Sequence, residues 1–577
     1  MQEASKTEKV IKSAQGWPQL LASDYMQFCL NGDRVSFENK YFSRRNYLTL
    51  LALAECIEGK GRLLPLIADG VLSLCQESGW QLPAHNSYAR DVAQEPLPDT
   101  SRPVIDLFAA ETGAQLAVIY YLLKSGLDTL SPEICRRIFR EIKDRILMPY
   151  LNCHFWWMGN GEEEMCNWTP WITQNVLLAF FLLPAEKAER REAVKKAQYG
   201  LQCFLKDYGQ DGCCSEGAEY YRKAALCLYN AADIIVCVTG GDGADFFEQP
   251  KIRNMAEYIV NMHIPNSPYY FNFADCAPLA GRSGVREYLF GKKINSRALC
   301  DFAAAEWAAS STAEKLLCCS AESLDGNNIY YLLQSLFTAR ELDALAKSDR
   351  NAEKNGDTFS FYYKSVGIYV MRRGEYSLAV KTGCNADSHN HNDTGSFILY
   401  RNGKPFVIDV GVGTYTAKTF SKDRYDIWTM QSSYHNLPEI NGQQQYAGKE
   451  FCSSGVQIQG MTIRQDISRA YPEQAGLKSY TRLVECRSNS VYIKDSAECS
   501  GKVVMNLMFA QKPEIGKDFI QIETTGRLRL PGLDVQKSIY IEEIEIEDKR
   551  LRKTWPAKLY RLRIAFSSEL ELVFSAE

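Results

Sequence analysis

The hydrophobic positions change period once along the chain. Between residues 40 and 348 apolar side chains recur at i, i+3 and i+4. This pattern predicts helices over 46–57, 105–124, 132–148, 172–183, 185–205, 219–238 and 252–262. The joints carry Gly, Pro, Asn and Asp, as in Gly159-Asn160-Gly161 and Gly240-Gly241-Asp242-Gly243. Many of these helices are apolar on two faces, which suits layered helical packing better than a simple bundle. Past a polar stretch at 350–357 the period falls to two. Strands are predicted over 359–370, 376–382, 396–401, 405–410, 456–463, 479–486, 491–497, 503–509, 519–523, 538–546 and 557–574. That density of short strands reads as a β-sandwich. The strongest local signal is Asn402-Gly403, a two-residue hairpin turn that sets Arg401 opposite Lys404. The expected organisation is a helical domain over 1–350 and a sandwich domain over 351–577.

Composition adds exclusions. Of the 577 residues, 46% are hydrophobic and 24% charged, which fits a folded protein and neither a disordered chain nor a coiled coil. The net charge of −4 offers no global basic field for nucleic acid, so any polyanionic ligand must meet a locally basic cleft. The apolar runs 116–123 and 176–183 are far shorter than the roughly 18–20 residues of a membrane span. The first residues contain no apolar core of a secretion signal. Nineteen cysteines without a CxxC spacing read as reduced thiols, and the expected location is the cytoplasm, with a secreted or periplasmic protein whose signal has been trimmed as the alternative.

Chemistry concentrates in a few segments. Three of the six histidines fall within 389–435. His389 and His391 lie two apart and share a face if extended. Asp409 and His435 follow 18 and 44 residues after His391, and two imidazoles with a carboxylate resemble a zinc-type ligand set. In a regular hairpin Asp409 lies opposite Ser396, leaving His391 roughly 16 Å further along. One ion can then be shared only if the chain folds back, with Gly395 the candidate bend. A second segment, Cys166-Asn167-Trp168-Thr169-Pro170-Trp171, follows Phe155-Trp156-Trp157 and sets an amide among aromatic faces suited to sugars. A third runs from Asp211 through Glu216-Gly217 to the pair Tyr220-Tyr221; a tyrosine is a poor base unless neighbouring charge lowers its pKa. His85 closes Trp80-Gln81-Leu82-Pro83-Ala84-His85. Arg222, Arg282, Arg286 and Arg424 are possible contacts to anionic groups, or solvated surface arginines.

In order along the chain, these segments resemble the heparinase II/III-like polysaccharide lyases, which include oligoalginate lyases. The resemblance rests on Trp80–His85, Asn167-Trp168, Asp211–Tyr220, His389–Asp393, Gly403–Gly411 and Ser432–Asn436. It implies an incomplete (α/α) toroid followed by an antiparallel β-sandwich, with an active site drawing on both. It also implies β-elimination on an anionic uronate-containing glycan, with Asn167 neutralising the uronate carboxylate. Tyr220 is then general base, general acid or both, with Tyr221 the neighbouring alternative, and His389 is the second acid/base or positioning group. His85, Trp168, Tyr221, Glu216 and Tyr415 become candidate substrate contacts. His391, Asp409 and His435 become ligands of zinc, or of another divalent cation. One departure concerns Trp168: several relatives carry Asn-Asn or Asn-His at the amide motif, and a tryptophan cannot replace a catalytic histidine. An alginate-type lyase, a glycoside hydrolase using Glu162–Glu164 or Asp211 and Glu216, and a non-catalytic glycan binder are the alternative readings.

Overall fold

In a computed structural model, residues 16–90, 92–280, 284–311, 328–348, 358–387 and 389–577 are described. The polar stretch at 350–357 and Arg282 lie outside them. The chain divides into two compact units, and the division is not a single cut. One unit comprises Met1–Tyr208, Arg222–Gln249 and Gly281–Asn351; the other comprises Gly209–Tyr221, Pro250–Ala280 and Ala352–Glu577. Two segments of the helical half thus group with the strands, which corrects a boundary drawn only at 350.

The helical unit is an incomplete (α/α) toroid. Its helices start where the sequence supplies caps. Asp106 accepts from Phe108 N and Ala109 N to open Leu107–Leu130, and Ser131 caps Pro132–Ile142 with proline in the first turn. The helix Pro132–Ile142 buries Ile134, Cys135, Ile138 and Ile142 at helical spacing. The helix Trp168–Leu182 is buried on all sides from Thr169 to Phe180, and its polar residues are satisfied inside: Thr169 donates to Trp157 O, Gln174 to Tyr331 and Asn175 to Trp171 O. Leu48, Leu51, Val71, Leu116, Ile119, Ile142, Ile172 and Val176 meet in its core. No described helix is long and apolar enough to cross a membrane.

The other unit is an antiparallel β-sandwich. Phe359–Tyr363, Ile368–Arg373, Tyr376–Lys381, Phe397–Arg401 and Lys404–Val407 pair in sequence order as one five-stranded sheet. An eight-stranded sheet includes Leu477–Cys486, Ser490–Cys499 and Glu569–Ser575, and a four-stranded sheet includes Val503–Phe509 and Lys558–Phe566. Met371, Leu378, Phe397 and Leu399 pack with Val484, Ile493, Leu572 and Phe574 in a common core. In Leu477–Cys486 strict alternation buries Tyr480, Arg482, Val484 and Cys486.

The hairpin forms as its Asn-Gly turn dictates. Arg401 pairs with Lys404, with Asn402 at φ 48° and Gly403 at φ 74°. The ladder then departs from regularity. Tyr400 pairs with Pro405 but Leu399 with Val407, so Phe406 is an extra residue. This bulge alters the expected pairing of Asp409 with Ser396. The chain folds back at the candidate bend: Ser396 N donates to Asp393 O at 2.9 Å, and Gly395 has φ 93°. A Cβ on Gly395 would stand 2.7 Å from Ile467 Cγ2, so a side chain is excluded by both backbone and packing.

Candidate active site and metal centre

The strand-rich unit carries most of the chemical groups. After strand Tyr376–Lys381 the chain enters the histidine loop, which is anchored at its base. The buried Lys381 lies 2.8 Å from Asp387 and 3.6 Å from Asp393. The Asn385 amide donates to Gln445 Oε1 and Tyr446 O, while its oxygen accepts from Thr394 N and Oγ1. His389 adopts φ 56°, a left-handed conformation unusual for a side-chain-bearing residue, and its carbonyl accepts from Asp275 N at 3.2 Å.

Asp275 is the hub of this region. It is fully buried, and its Oδ2 lies 2.9 Å from His389 Nδ1 while its Oδ1 lies 3.0 Å from His391 Nε2 and 2.5 Å from Arg424 Nη2. Burial would raise its pKa, yet the hydrogen bonds from His389, His391 and Arg424 hold it far below the usual carboxylate range. Nothing local in Phe273-Ala274-Asp275 signals this role, because Asp275 precedes His389 by 114 residues. Arg424 also donates to Asn390 O and Thr419 O. It is thus built into the site's scaffold, which corrects its reading as a solvated arginine.

His389 has a carboxylate at each ring nitrogen, since its Nε2 lies 3.2 Å from Glu216 Oε2. Burial opposes the imidazolium, but hydrogen bonds to Asp275 and Glu216 prevail and raise the pKa to about 9. At neutral pH the ring is a cation and proton donor. Glu216 therefore orients His389. The Tyr220 and Tyr415 hydroxyls are 3.2 Å apart, and the Tyr220 ring lies 5.3 Å from that of His389. Burial, followed by Tyr415, Glu216 and Glu219, pushes the Tyr220 phenol well above its ordinary value. Arg550, which the sequence reading passed over, stands 4.8 Å over the Tyr415 ring and pairs with Glu219 at 3.0 Å. Gly217 explains the Glu-Gly of the tyrosine motif: at φ 91° it approaches so closely that a Cβ would meet Cys276 Cβ at 2.6 Å.

Tyr221 is different. It is fully buried, packs beside Tyr258 and donates its hydroxyl to Ala256 O at 2.9 Å. This corrects its reading as a substrate contact: the helix beginning at Tyr221 turns successive residues to different faces. Arg222 and Arg286 are likewise interior. Arg222 lies 3.5 Å from Glu287, and Arg286 stands 3.9 Å over the Tyr331 ring.

His391, Asp409 and His435 come together as a buried group whose potential ligand atoms all lie within 4.8 Å of one another. Three loops meet here, held by Asn436, whose amide donates to Phe397 O and Ile408 O and whose oxygen accepts from Met508 N. His391 Nε2 faces Asp275, and His435 Nδ1 faces Asp409 Oδ2 at 2.9 Å. The opposite nitrogens, His391 Nδ1 and His435 Nε2, are buried without a hydrogen-bond partner. Buried orphaned nitrogens beside a carboxylate are what a divalent cation satisfies, so this group could hold a metal ion.

The helical unit holds the remaining candidates. Asn167 occupies the position before helix Trp168–Leu182, is buried, and does not cap the helix with its side chain. His85 Nδ1 lies 2.9 Å from the buried Asp106, which fixes the ring between Phe108, with centroids 6.2 Å apart, and Trp168, at 4.7 Å. Trp168 also packs against Trp156, and Trp171 donates to Glu111 at 2.7 Å. His85, Phe108, Trp156 and Trp168 therefore form a continuous aromatic cluster beside the start of helix Trp168–Leu182.

Residues 356–568 match the family model described as "Heparinase II/III-like, C-terminal". This region is heparinase II/III-like. The match spans the histidine loop, Asp409, His435 and Arg550 of the heparinase II/III-like region. Solved structures extend the likeness of fold to nearly the whole chain. A mutant of the heparan sulfate lyase HepC from Pedobacter heparinus is 13% identical, covering 98% of this chain and 82% of that one, with a TM-score of 0.60. Heparinase III is 15% identical over 94% and 77%, with a TM-score of 0.58. The chondroitin AC lyase of Streptomyces coelicolor A3 is 10% identical over 96% and 78%, with a TM-score of 0.53. No curated protein sequence matches the chain.

Proposed function

We propose that this protein is a polysaccharide lyase that cleaves uronate-containing glycans of the glycosaminoglycan type by β-elimination. The observation that carries this reading is the Tyr220–Tyr415 phenol pair beside a His389 imidazolium held by Glu216 and Asp275. The difficult step is loss of the C5 proton next to the uronate carboxylate, and donors and cations that accept charge from the carboxylate ease it. Asn167 is assigned to that carboxylate. Tyr220, neutral at rest, is suited to protonate the departing glycosidic oxygen. As a base it must act as phenolate, a form that the guanidinium of Arg550 favours and that burial, Tyr415, Glu216 and Glu219 oppose. The lyase folds described above act, by their names, on heparan sulfate and chondroitin, which supports a sulfated glycosaminoglycan over alginate. Trp168 in place of a second polar group at the amide motif supports the same preference.

A hydrolase would need two carboxylates facing one bond. Glu216 is committed to His389, Asp211 accepts from Ser365 N and Oγ, and 162–164 are exposed. Incubation with heparan sulfate, chondroitin sulfate, hyaluronan and alginate separates the readings. A lyase produces the ultraviolet absorbance of an unsaturated uronate from one of them. New reducing ends without that absorbance would establish hydrolysis and reject elimination.

Zinc suits the two imidazoles and carboxylate of His391, Asp409 and His435. When bound, the cation supplies a fixed positive charge tying three loops together. Purified protein is expected to contain a stoichiometric divalent ion, identified by elemental analysis. His435→Ala is expected to lose it. Retention of the ion by His435→Ala, or protein without any ion that is unaffected by chelation or added zinc, would reject this centre.

A further inference from the structure

We propose that Cys384 and Cys452 form a redox-modification site, a dithiol that closes to a disulfide by exchange with a low-molecular-weight disulfide and clamps the base of the histidine loop. The two cysteines are direct partners across the antiparallel strands Cys384–Asn385 and Gly448–Cys452. Their neighbours decide the kind of pairing. Ser453 N donates to Gly383 O at 2.8 Å, and Gly383 N donates to Ser453 Oγ at 3.0 Å. Gly383 and Ser453 are therefore the hydrogen-bonded position, and Cys384 and Cys452 the adjacent non-hydrogen-bonded one. In that position Cα atoms stand about 4.5 Å apart and side chains project to the same face. A disulfide spans Cα separations of about 4.4–6.8 Å, so the pair can be bridged with little movement.

Two further observations favour reactivity. Both cysteines are partly exposed. The regular ladder breaks immediately beyond the pair, where Asn385 aligns with Gly448, so no continuing strand covers the two thiols along the ladder. Burial raises the Cys384 pKa, followed by Asp387, which lowers its thiolate fraction and slows the exchange; Cys452 is among the groups that add to the rise, as facing thiols do. A bridge at a partly exposed position is open to reduction, the property of a labile rather than a structural disulfide.

The chemistry balances with one co-reactant. One cysteine thiolate attacks a sulfur of the small disulfide, forming a mixed disulfide and expelling one small thiolate. The second protein thiolate attacks the mixed disulfide at the first cysteine's sulfur, forming the Cys384–Cys452 bond and expelling the second. The two protons released by the cysteines go to the two departing thiolates. The protein dithiol is oxidised and the small disulfide reduced. The consequence is mechanical. Asn385, next to the bridge, ties Gln445 and Tyr446 to Thr394, and Asp387 holds Lys381. A covalent bond here fixes the strand that delivers His389 and His391.

The test uses the full-length protein and oxidised glutathione. Reduced protein is incubated until the exposed Cys29 and Cys56 carry glutathione, then alkylated, digested and mapped by mass spectrometry. The expected product is a Cys384–Cys452 linked peptide, lighter by two hydrogens than its reduced parts, absent from Cys384→Ser and Cys452→Ser and lost on adding dithiothreitol. In Cys384→Ser the remaining Cys452 is expected to retain glutathione. Hydrogen exchange across residues 384–394 is expected to slow on oxidation. Recovery of both cysteines alkylated, or glutathionylated without a link, would overturn the site. Unchanged exchange in the linked protein would overturn the clamp.

Discussion

Tyr220→Phe is expected to reduce kcat on the active glycan by about 100- to 10,000-fold, the usual contribution of a positioned acid or base. The fold should tolerate the change. The ring keeps its place beside His389, and the hydroxyl removed shares its hydrogen with Tyr415 at a partly exposed position. Loss of one such hydrogen bond costs about 0.5–1.5 kcal/mol, too little to unfold a domain. Rate is followed by the ultraviolet signal of the product and folding by thermal melting. Tyr415→Phe is expected to have a smaller effect, because Tyr415 reaches the reaction through Tyr220. If Tyr220→Phe retains most of the wild-type kcat, the proton-transfer role belongs to another residue and the proposed mechanism fails.

Arg482→Met is expected to destabilise the strand-rich unit by about 3–5 kcal/mol, the range for breaking a fully buried ion pair from one side. Arg482 and Asp495 are both fully buried and joined by two hydrogen bonds of 2.8 Å. The same guanidinium donates to Gly395 O at 2.7 Å and Asn436 O at 2.8 Å. Removing it leaves a carboxylate and two carbonyls in the core without their donor. Arg482→Met combined with Asp495→Leu should recover much of the loss, because the uncompensated charge goes with it. Denaturant unfolding of the single and double variants measures the difference. Equal stability of wild type and Arg482→Met would refute the assignment. The pair also bears on the metal centre, since Gly395 forms the bend after His391 and Asn436 follows His435. Metal affinity should therefore fall in the single variant even where the protein remains folded.

The elements whose causes are local were legible in the amino-acid order. Helical periodicity up to residue 348, alternation beyond it and the Asn402-Gly403 turn correspond to observed helices, strands and a hairpin. The need for a fold-back before Ser396, with Gly395 the candidate bend, followed from the sequence, because a strand rising about 3.3 Å per residue does not let His391 meet Asp409 along a straight course. The histidine cluster also stood out by its concentration within 389–435, and the Glu-Gly-x-x-Tyr motif through the family resemblance. Other features left no such mark. Phe406 is a bulge within an apparently regular strand, and Tyr221 looks as accessible as Tyr220 until the helix direction is known.

The same limit applies more strongly to charged residues with distant partners. By itself the sequence determined the succession of helices and strands and the residue types available for proton transfer and metal binding. Only the tertiary structure decided that Asp275 serves His389 and His391, that Arg424 completes that hub, and that Arg482 occupies an inward position of its strand to hold two loops. The physical reason is range. Periodicity and turn chemistry act over a few residues and are written in consecutive positions. The partner of a buried charge is whatever the folded chain brings within hydrogen-bonding distance, and here that partner lies up to 149 residues away.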